Sequence, residues 1–428
     1  MNRLLTLVFL ALLGAVAWFR FGGGAAATGQ PALNDMERIA ESARAVREAA
    51  VAKYPLLTVR QLGNGLPDSG EWRGKPVVAD LNGDGKLDCV TSIRRFDKVR
   101  IADGLRAYLG DGAGGWRLAD AGLAKDMGYG GADVADLNGD GRLDIVYSGH
   151  DLPPRGFLNF LGFEGHDEWV PLEPLMDLAG VSCADVALGD YDRDGAPDLA
   201  VMGFFPKTGG LYVLRNDGSG AFEPKQQLLE ASHYGAIVRF ADVDGDGGVE
   251  LIAATSMGPR VWRWREGAWS EFADGLPSTF GPNEVSGITR GIAAADLDGD
   301  GRAELAVCGL PNGVHAPVAL YRHDGTAWRR FDSGLPDSES CFDIVFARLA
   351  GGDRGLFLAC QHGVVVVRCT ADGACEVVGR IPLTEGVLNL GAGDVDGDGA
   401  DDVLLMQQTD LGCVGFTLPA TTAKSIAR

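Results

Sequence analysis

The chain is expected to be all-β: a seven-bladed β-propeller of four-stranded blades, preceded by a hydrophobic N-terminal segment and one helix. Three observations lead there. An acidic nine-residue phrase returns at a near-constant interval, a short apolar run flanks each copy on both sides, and a hairpin pattern follows.

The phrase is first "DLNGDGKLD" from Asp80, then "DLNGDGRLD" from Asp136 and "DYDRDGAPD" from Asp190. It returns as "DVDGDGGVE" from Asp242, "DLDGDGRAE" from Asp296 and "DVDGDGADD" from Asp394. Successive first aspartates lie 56, 54, 52 and 54 residues apart, then 98, which is about two periods. The missing copy is legible in its flanks. "FARLAGGDRGLFLA" (Phe346 to Ala359) aligns without a gap under "AADLDGDGRAELAV" (Ala294 to Val307), with Arg348 in the place of Asp296. Seven repeats result, six with an acidic loop and one without.

Runs such as "PVVADL" before a loop and "LDIVYSG" or "ELAVCG" after it are short, rich in Val, Ile, Leu and Ala, and bounded by Gly and Asp, as buried strands are. "RAYLGDGAGGWRLAD", "LYVLRNDGSGAFEP" and "VALYRHDGTAWRRFD" then read as hairpins, completing four strands per repeat. Asn-Gly and Asp-Gly breaks come too often for helical solenoids. Closure is written in a third phrase. "WSEFADGLP" and "WRRFDSGLP" end fourth strands, and "VRQLGNGLP" (Val59 to Pro67) stands before the first loop, where no three strands precede it. The last repeat runs out after three strands near Pro419, so residues near Leu56 to Leu66 are expected to supply the outer strand of the seventh blade and to remove an exposed edge.

Asp or Asn at loop positions 1, 3 and 5, Gly at 6 and Asp or Glu at 9 is the opening of an EF-hand-like loop, to which the carbonyl of position 7 adds a ligand. Oxygen donors without His or Cys favour calcium over zinc or copper. A plain Asp-Gly turn with no ion is the alternative for any one copy; six copies with every position kept favour the ion.

With these loops the chain resembles the FG-GAP/VCBS repeat family, the calcium-bearing propeller repeat also seen in integrin alpha-subunit heads, over roughly Leu56 to Pro419. The resemblance implies up to six Ca2+ ions, one per acidic loop. The first three ligand sets are Asp80, Asn82, Asp84 and Asp88; Asp136, Asn138, Asp140 and Asp144; and Asp190, Asp192, Asp194 and Asp198. The others are Asp242, Asp244, Asp246 and Glu250; Asp296, Asp298, Asp300 and Glu304; and Asp394, Asp396, Asp398 and Asp402. The sixth repeat departs from the pattern, and no ion is expected between Arg348 and Leu356. Nothing matches the other integrin domains.

Four domains are expected: 1–27 a signal peptide or membrane anchor, 28–54 a linker and amphipathic helix, 55–420 the propeller, and 421–428 a tail. The apolar run Leu4 to Phe19 follows one basic residue, and Ala25 to Ala27 offers a cleavage point, so export to periplasm, cell surface or medium is expected. Net charge is -21 over 428 residues, and six bound calcium ions would offset 12 of those charges. An acidic balance of this kind excludes nucleic acid as a partner.

Eight cysteines in an exported chain invite pairing. Cys369 and Cys375 flank a hairpin turn, and Cys341 and Cys360 fall nearly opposite one another in the sixth repeat; both pairs are expected to bridge and to staple the blade that lost its ion. Cys89, Cys183, Cys308 and Cys413 have no assigned partner.

Fourteen residues beyond each first loop position lie Arg94, His150, Phe204, Ser256, Leu310, His362 and Gln408, expected to ring the opposite face, with Tyr129 and Tyr234 entering its rim. Arg94, Arg95, Lys98, Arg100, Arg155 and Lys207 gather there, which suits a protein surface or a glycan with acidic or polar groups; scattered solvated charge explains them as well. No H-E-x-x-H, G-x-S-x-G or P-loop is present, and a base at His150 or His362 would need a carboxylate to orient it, which Asp151, adjacent on a strand and so facing the other way, does not offer His150; no catalytic residue is assigned. The reading is a calcium-binding interaction or adhesion module, with a lectin-like propeller and a polysaccharide lyase or hydrolase as alternatives.

Overall fold

The computed structural model describes residues 48, 51–72, 74–97, 100–102, 104–125, 130–149, 153–172, 181–205, 207–223, 226–277, 289–309, 318–336, 341–383, 386–407 and 410–418. The chain divides at Tyr54 into two units, and every described strand lies in the second, Pro55–Arg428. The N-terminal apolar segment, nearly all of the expected helix and the C-terminal tail fall outside the described residues.

Seven antiparallel sheets follow one another along the chain; five have four strands in sequence order, the first has six, and the last takes its outer strand from the start of the propeller. The second blade is typical. Ala132–Ala135, Asp144–Tyr147, Arg155–Asn159 and Trp169–Pro171 pair in that order, with Ala135 opposite Asp144 across the first acidic turn of the blade. The first blade carries two short additions that the sequence did not announce, Glu71–Trp72 and Arg100–Ala102, both paired to the long strand Asp88–Asp97. The seventh blade is completed as expected. Thr58–Gln61 lies antiparallel on Leu411–Thr417, with Arg60 opposite Gly415.

The strand after the loop is buried along its whole length in five blades: Asp144–Tyr147, Asp198–Gly203, Glu250–Thr255, Glu304–Gly309 and Asp402–Gln407. Covered by a neighbouring blade on each face, such a strand has no use for alternation, which is why its sequence is a continuous apolar run. The core is accordingly divided among the joints between blades. Ala107, Ile145 and Trp169 pack between the first and second blades, Val186 and Val146 between the second and third, and Leu405 and Phe357 between the sixth and seventh. Each fully buried Leu, Ile or Phe side chain contributes about 2 kcal/mol, so no blade holds its own stability apart from its neighbours.

Cys369 and Cys375 are bridged, as expected. The second expected bridge is corrected. Cys341 and Cys360 do stand opposite one another, but both are free thiols. A bulge interrupts the register just here, between Cys341 and Asp343, and the Cys341 thiol donates to the Asp343 carbonyl at 3.1 Å. Free Cys308 is within hydrogen-bonding reach of the same thiol, and burial pushes Cys341 well above the usual thiol range. A disulfide is therefore not what holds the sixth blade's first two strands.

Candidate metal centre: six acidic loops

Every acidic loop is first a set of backbone turns. In the first, Asp80 Oδ1 accepts from the amides of Gly83 (2.8 Å) and Asp84 (3.1 Å), and its Oδ2 from Gly85 (2.8 Å). Asn82 Oδ1 accepts from Asp84 (3.1 Å), and Asp84 Oδ1 from Lys86 (2.9 Å). Gly83 and Gly85 take φ of 73° and 81°, a left-handed backbone that glycine enters without a Cβ penalty. The second loop repeats these contacts at Asp136, Asn138 and Asp140.

The turns use one oxygen of each position-5 side chain, and in most loops one of position 3, and leave the other free of the turn. In four loops, three carboxylates each bring an oxygen within 4.8 Å of one another: Asp190, Asp192 and Asp194; Asp242, Asp244 and Asp246; Asp296, Asp298 and Asp300; and Asp394, Asp396 and Asp402. Asp244 Oδ1 and Asp394 Oδ1 are buried with no hydrogen-bond partner. Converging hard oxygens, two of them orphaned, suit a calcium ion in donor type and spacing.

Position 9 has a second duty that the sequence did not show. Asp144 is fully buried, and its oxygens accept from the Leu137 amide (3.0 Å) within the loop and the Asn159 amide (2.9 Å) on the third strand. The Asn159 side chain then donates to the carbonyls of Leu143 (2.9 Å) and of Leu81 (2.7 Å), the latter in the preceding blade's loop. Asp198 and Asn216 repeat the clasp, with Asn216 reaching back to the Leu137 carbonyl at 3.0 Å. Burial pushes these acids up, Asp88 and Asp144 to about 6 and Asp198, Glu250 and Asp402 to about 7. Asn159 and Asn216 thus link successive loops; the one hint in sequence is the Asn that ends "GFLN" and stands in "VLRND".

Guanidinium groups enter several loops. Arg215 reaches Asp192 (2.7 Å) and Asp194, Arg265 reaches Asp244 (2.6 Å) and Asp246 (2.7 Å), and Arg322 reaches Asp298 (2.9 Å) and Glu304 (2.7 Å). Arg142 touches Asp140, and Arg60 enters the seventh loop from the closing strand. The sixth blade has no cup. Arg348 instead turns to its neighbour's loop, where its amide donates to Asp401 (2.7 Å) and its guanidinium lies 3.5 Å from Asp394.

The opposite face is described only in part. Arg94, Arg95, Lys98, Arg100, Tyr129, His150, Asp151, Leu310 and Gln408 lie outside the residues whose side chains are described. Among the others, Tyr234 and Ser256 do come together: the Ser256 amide donates to the Tyr234 carbonyl at 2.7 Å, and Ser256 Oγ accepts from the Tyr234 amide at 3.3 Å. Phe204 stacks edge-on against half-exposed Phe205, and Lys207 sits at a φ of 76°. His362 has intermediate burial and Arg155 is exposed.

Toward the ring axis the innermost strands carry buried charge that sequence reasoning passed over. Lys75 pairs with Asp343 at 3.2 Å and Arg239 with Asp185 at 2.6 Å, and burial pushes Asp133 and Asp185 up and Lys75 down. Lys75 and Arg239 border a cavity of about 420 Å³ whose wall also includes Ile292, Val345 and Arg354. Both cations are paired with a buried carboxylate, Lys75 with Asp343 and Arg239 with Asp185.

A family model described as an FG-GAP-like repeat matches residues 80–147, 190–253 and 242–307. Integrin alpha-PS3 of Drosophila melanogaster is 30% identical over 150 residues, 30% of this chain and 13% of the integrin. Cartilage acidic protein 1 of Xenopus tropicalis is 24% identical over 209 residues, 45% of this chain and 31% of that protein. The matched stretches thus span less than a third of these relatives. Among solved structures, Saccharomyces cerevisiae Sqt1 superposes with a TM-score of 0.51 at 11% identity, covering 86% of this chain and 100% of that one, a likeness of fold alone.

Proposed function

We propose, from a propeller that carries FG-GAP-like repeats, that this protein works outside the cell as a calcium-stabilised interaction or adhesion module. The observation that carries the reading is the inward convergence of carboxylate oxygens in the acidic loops, with orphaned oxygens at Asp244 and Asp394. The ligands are the 24 residues at positions 1, 3, 5 and 9 of the six loops, from Asp80 to Asp402. Bound there, calcium supplies positive charge beyond what the arginines of nearby strands already bring to some of the loops. The chain's own residues do the rest: position 1 caps the turn, and position 9 ties the loop to the third strand.

The segment before the helix supports export, 1–27 acting as signal peptide or anchor and 28–54 as linker and helix. Residues 55–420 form the working domain, and 421–428 the tail. Matches to integrin alpha chains support a protein partner, received on the face away from the loops, where Phe205 is exposed. The test is to count bound calcium in the full chain by elemental analysis after dialysis and to melt it with calcium and with chelator. Several ions per chain and a higher melting temperature with calcium are expected, since an ion at a hundred times its Kd adds about 2.7 kcal/mol per site. Equal melting in both conditions with no ion retained removes the reading.

A further inference from the structure

The acidic loops are not equally open to an ion. In the third, fourth and fifth blades an arginine in or just past the same blade's third strand enters the loop, as Arg215, Arg265 and Arg322, and in the fourth Arg193 of the preceding loop also reaches Asp246. The first loop has no guanidinium among the described residues; its nearest cation is Lys86, 3.9 Å from Asp84. The third strand of the seventh blade, Leu411–Thr417, has no arginine to offer. It carries Gly415, and a Cβ there would lie 2.7 Å from Asp402 Oδ1 and 2.8 Å from Arg60 Nη2. That vacancy is filled from across the seam. Arg60, in register opposite Gly415 on the closing strand, places one nitrogen 2.5 Å from Asp396 Oδ2, 2.9 Å from Asp398 Oδ2 and 3.8 Å from Asp402 Oδ1.

Asp396, Asp398 and Asp402 are three of the four ligands expected of this loop. Asp398 Oδ1 is already committed to the Ala400 amide and Asp402 Oδ2 to the Val395 amide, so the oxygens that Arg60 takes are those left for a metal. We infer that Arg60 is a built-in counterion of the seventh loop that competes with calcium for Asp396, Asp398 and Asp402, so that the strand closing the ring also sets that loop's calcium affinity. The inference rests on the calcium reading of the loops. Arg60 is half-exposed and outside the core, so its replacement removes a charge and leaves the packing in place.

The experiment compares the full chain with Arg60→Gln and Arg60→Lys, measuring calcium binding against a chelator of known affinity and melting in chelator and along a calcium series. For Arg60→Gln, one site is expected to bind calcium roughly five-fold more tightly, the factor that loss of an exposed ion pair of about 1 kcal/mol yields. The same variant melts lower in chelator and gains more from calcium than wild type, and Arg60→Lys falls between them. Wild-type binding with unchanged affinity in Arg60→Gln overturns the competition alone. A wild type that retains no calcium overturns the calcium reading and the competition together.

Discussion

Asp144 shows how much one side chain does in this fold. It is an acid by identity and a candidate ligand by position, yet both its oxygens already hold backbone amides, one in the loop and one on the third strand. Asp144→Ala removes two acceptors at once and leaves the buried Leu137 and Asn159 amides without partners. An orphaned buried amide costs about 1 to 3 kcal/mol, so urea unfolding of the variant in chelator should show a loss of about 3 kcal/mol. Asp140→Ala, at the more exposed position 5, should lose less than about 1 kcal/mol in chelator and show its main defect only with calcium. Equal losses for the two in chelator would mean that position 9 is a ligand and not a clasp. The acid at position 9 was legible, because its spacing from the Gly of position 6 never varies. The clasp was not, because its other half is a main-chain amide 15 residues further on, and a backbone group leaves no signature in sequence.

At the scale of the element, the phrase that ends the outer strands turns out to be a joint. Gly65 and Gly275 of that phrase, and Gly122 of the similar "LADAGLA" (Leu118 to Ala124), have φ of 95°, 90° and 86°, and a Cβ on each would lie 2.1, 2.2 and 1.8 Å from the carbonyl oxygens of Trp116, Trp328 and Trp169. Each tryptophan belongs to the outer strand of the next blade. Its amide donates back to the residue before the glycine, Trp169 to Ala121 at 2.8 Å, and its indole to a carbonyl upstream, Trp169 to Ala119 at 2.9 Å. The glycine is thus required twice over, for its left-handed backbone and for the closeness of the neighbouring strand. Gly122→Ala should destabilise the protein by about 3 kcal/mol, read as a fall in the urea midpoint, because strain at positive φ and a backbone clash add. Trp169→Phe, which keeps the ring and loses the indole hydrogen bond, should cost about 1 kcal/mol. Were Gly122→Ala as mild as Trp169→Phe, the joint would be looser than these distances indicate. The phrase was visible in sequence as a marker of strand ends. Its partner was not, since the tryptophan comes some 50 residues later.

The propeller unit is a ring whose seam is closed by the eight residues from Pro55 to Leu62. Blade number and closure were readable because both follow from repetition: a regular period, one copy without acids, and a strand-ending phrase standing where no blade precedes it. Axial charge pairs such as Lys75–Asp343 escaped that reading, because each inner strand contributes a different residue and no repeat marks them. The seam itself rests on Pro55 to Leu62. Arg380 donates to Pro55 O at 2.7 Å, Leu57 to Arg380 O at 2.9 Å and Leu62 to Cys413 O at 2.9 Å, with Thr58–Gln61 paired along Leu411–Thr417 between them. Without this segment the seventh blade keeps three strands and presents Leu411–Thr417 as an open edge, a template for another chain. A chain beginning at Leu62 should therefore melt lower than one beginning at Pro55 and should dimerise or aggregate, as read by light scattering on a sizing column. Supplying the Pro55 to Leu66 peptide in trans should restore part of the lost melting temperature, because the edge it would pair with is already formed. A shortened chain that stays monomeric and melts with the longer one would mean that the ring is held by the joints between blades alone, and that the closing strand only covers an edge.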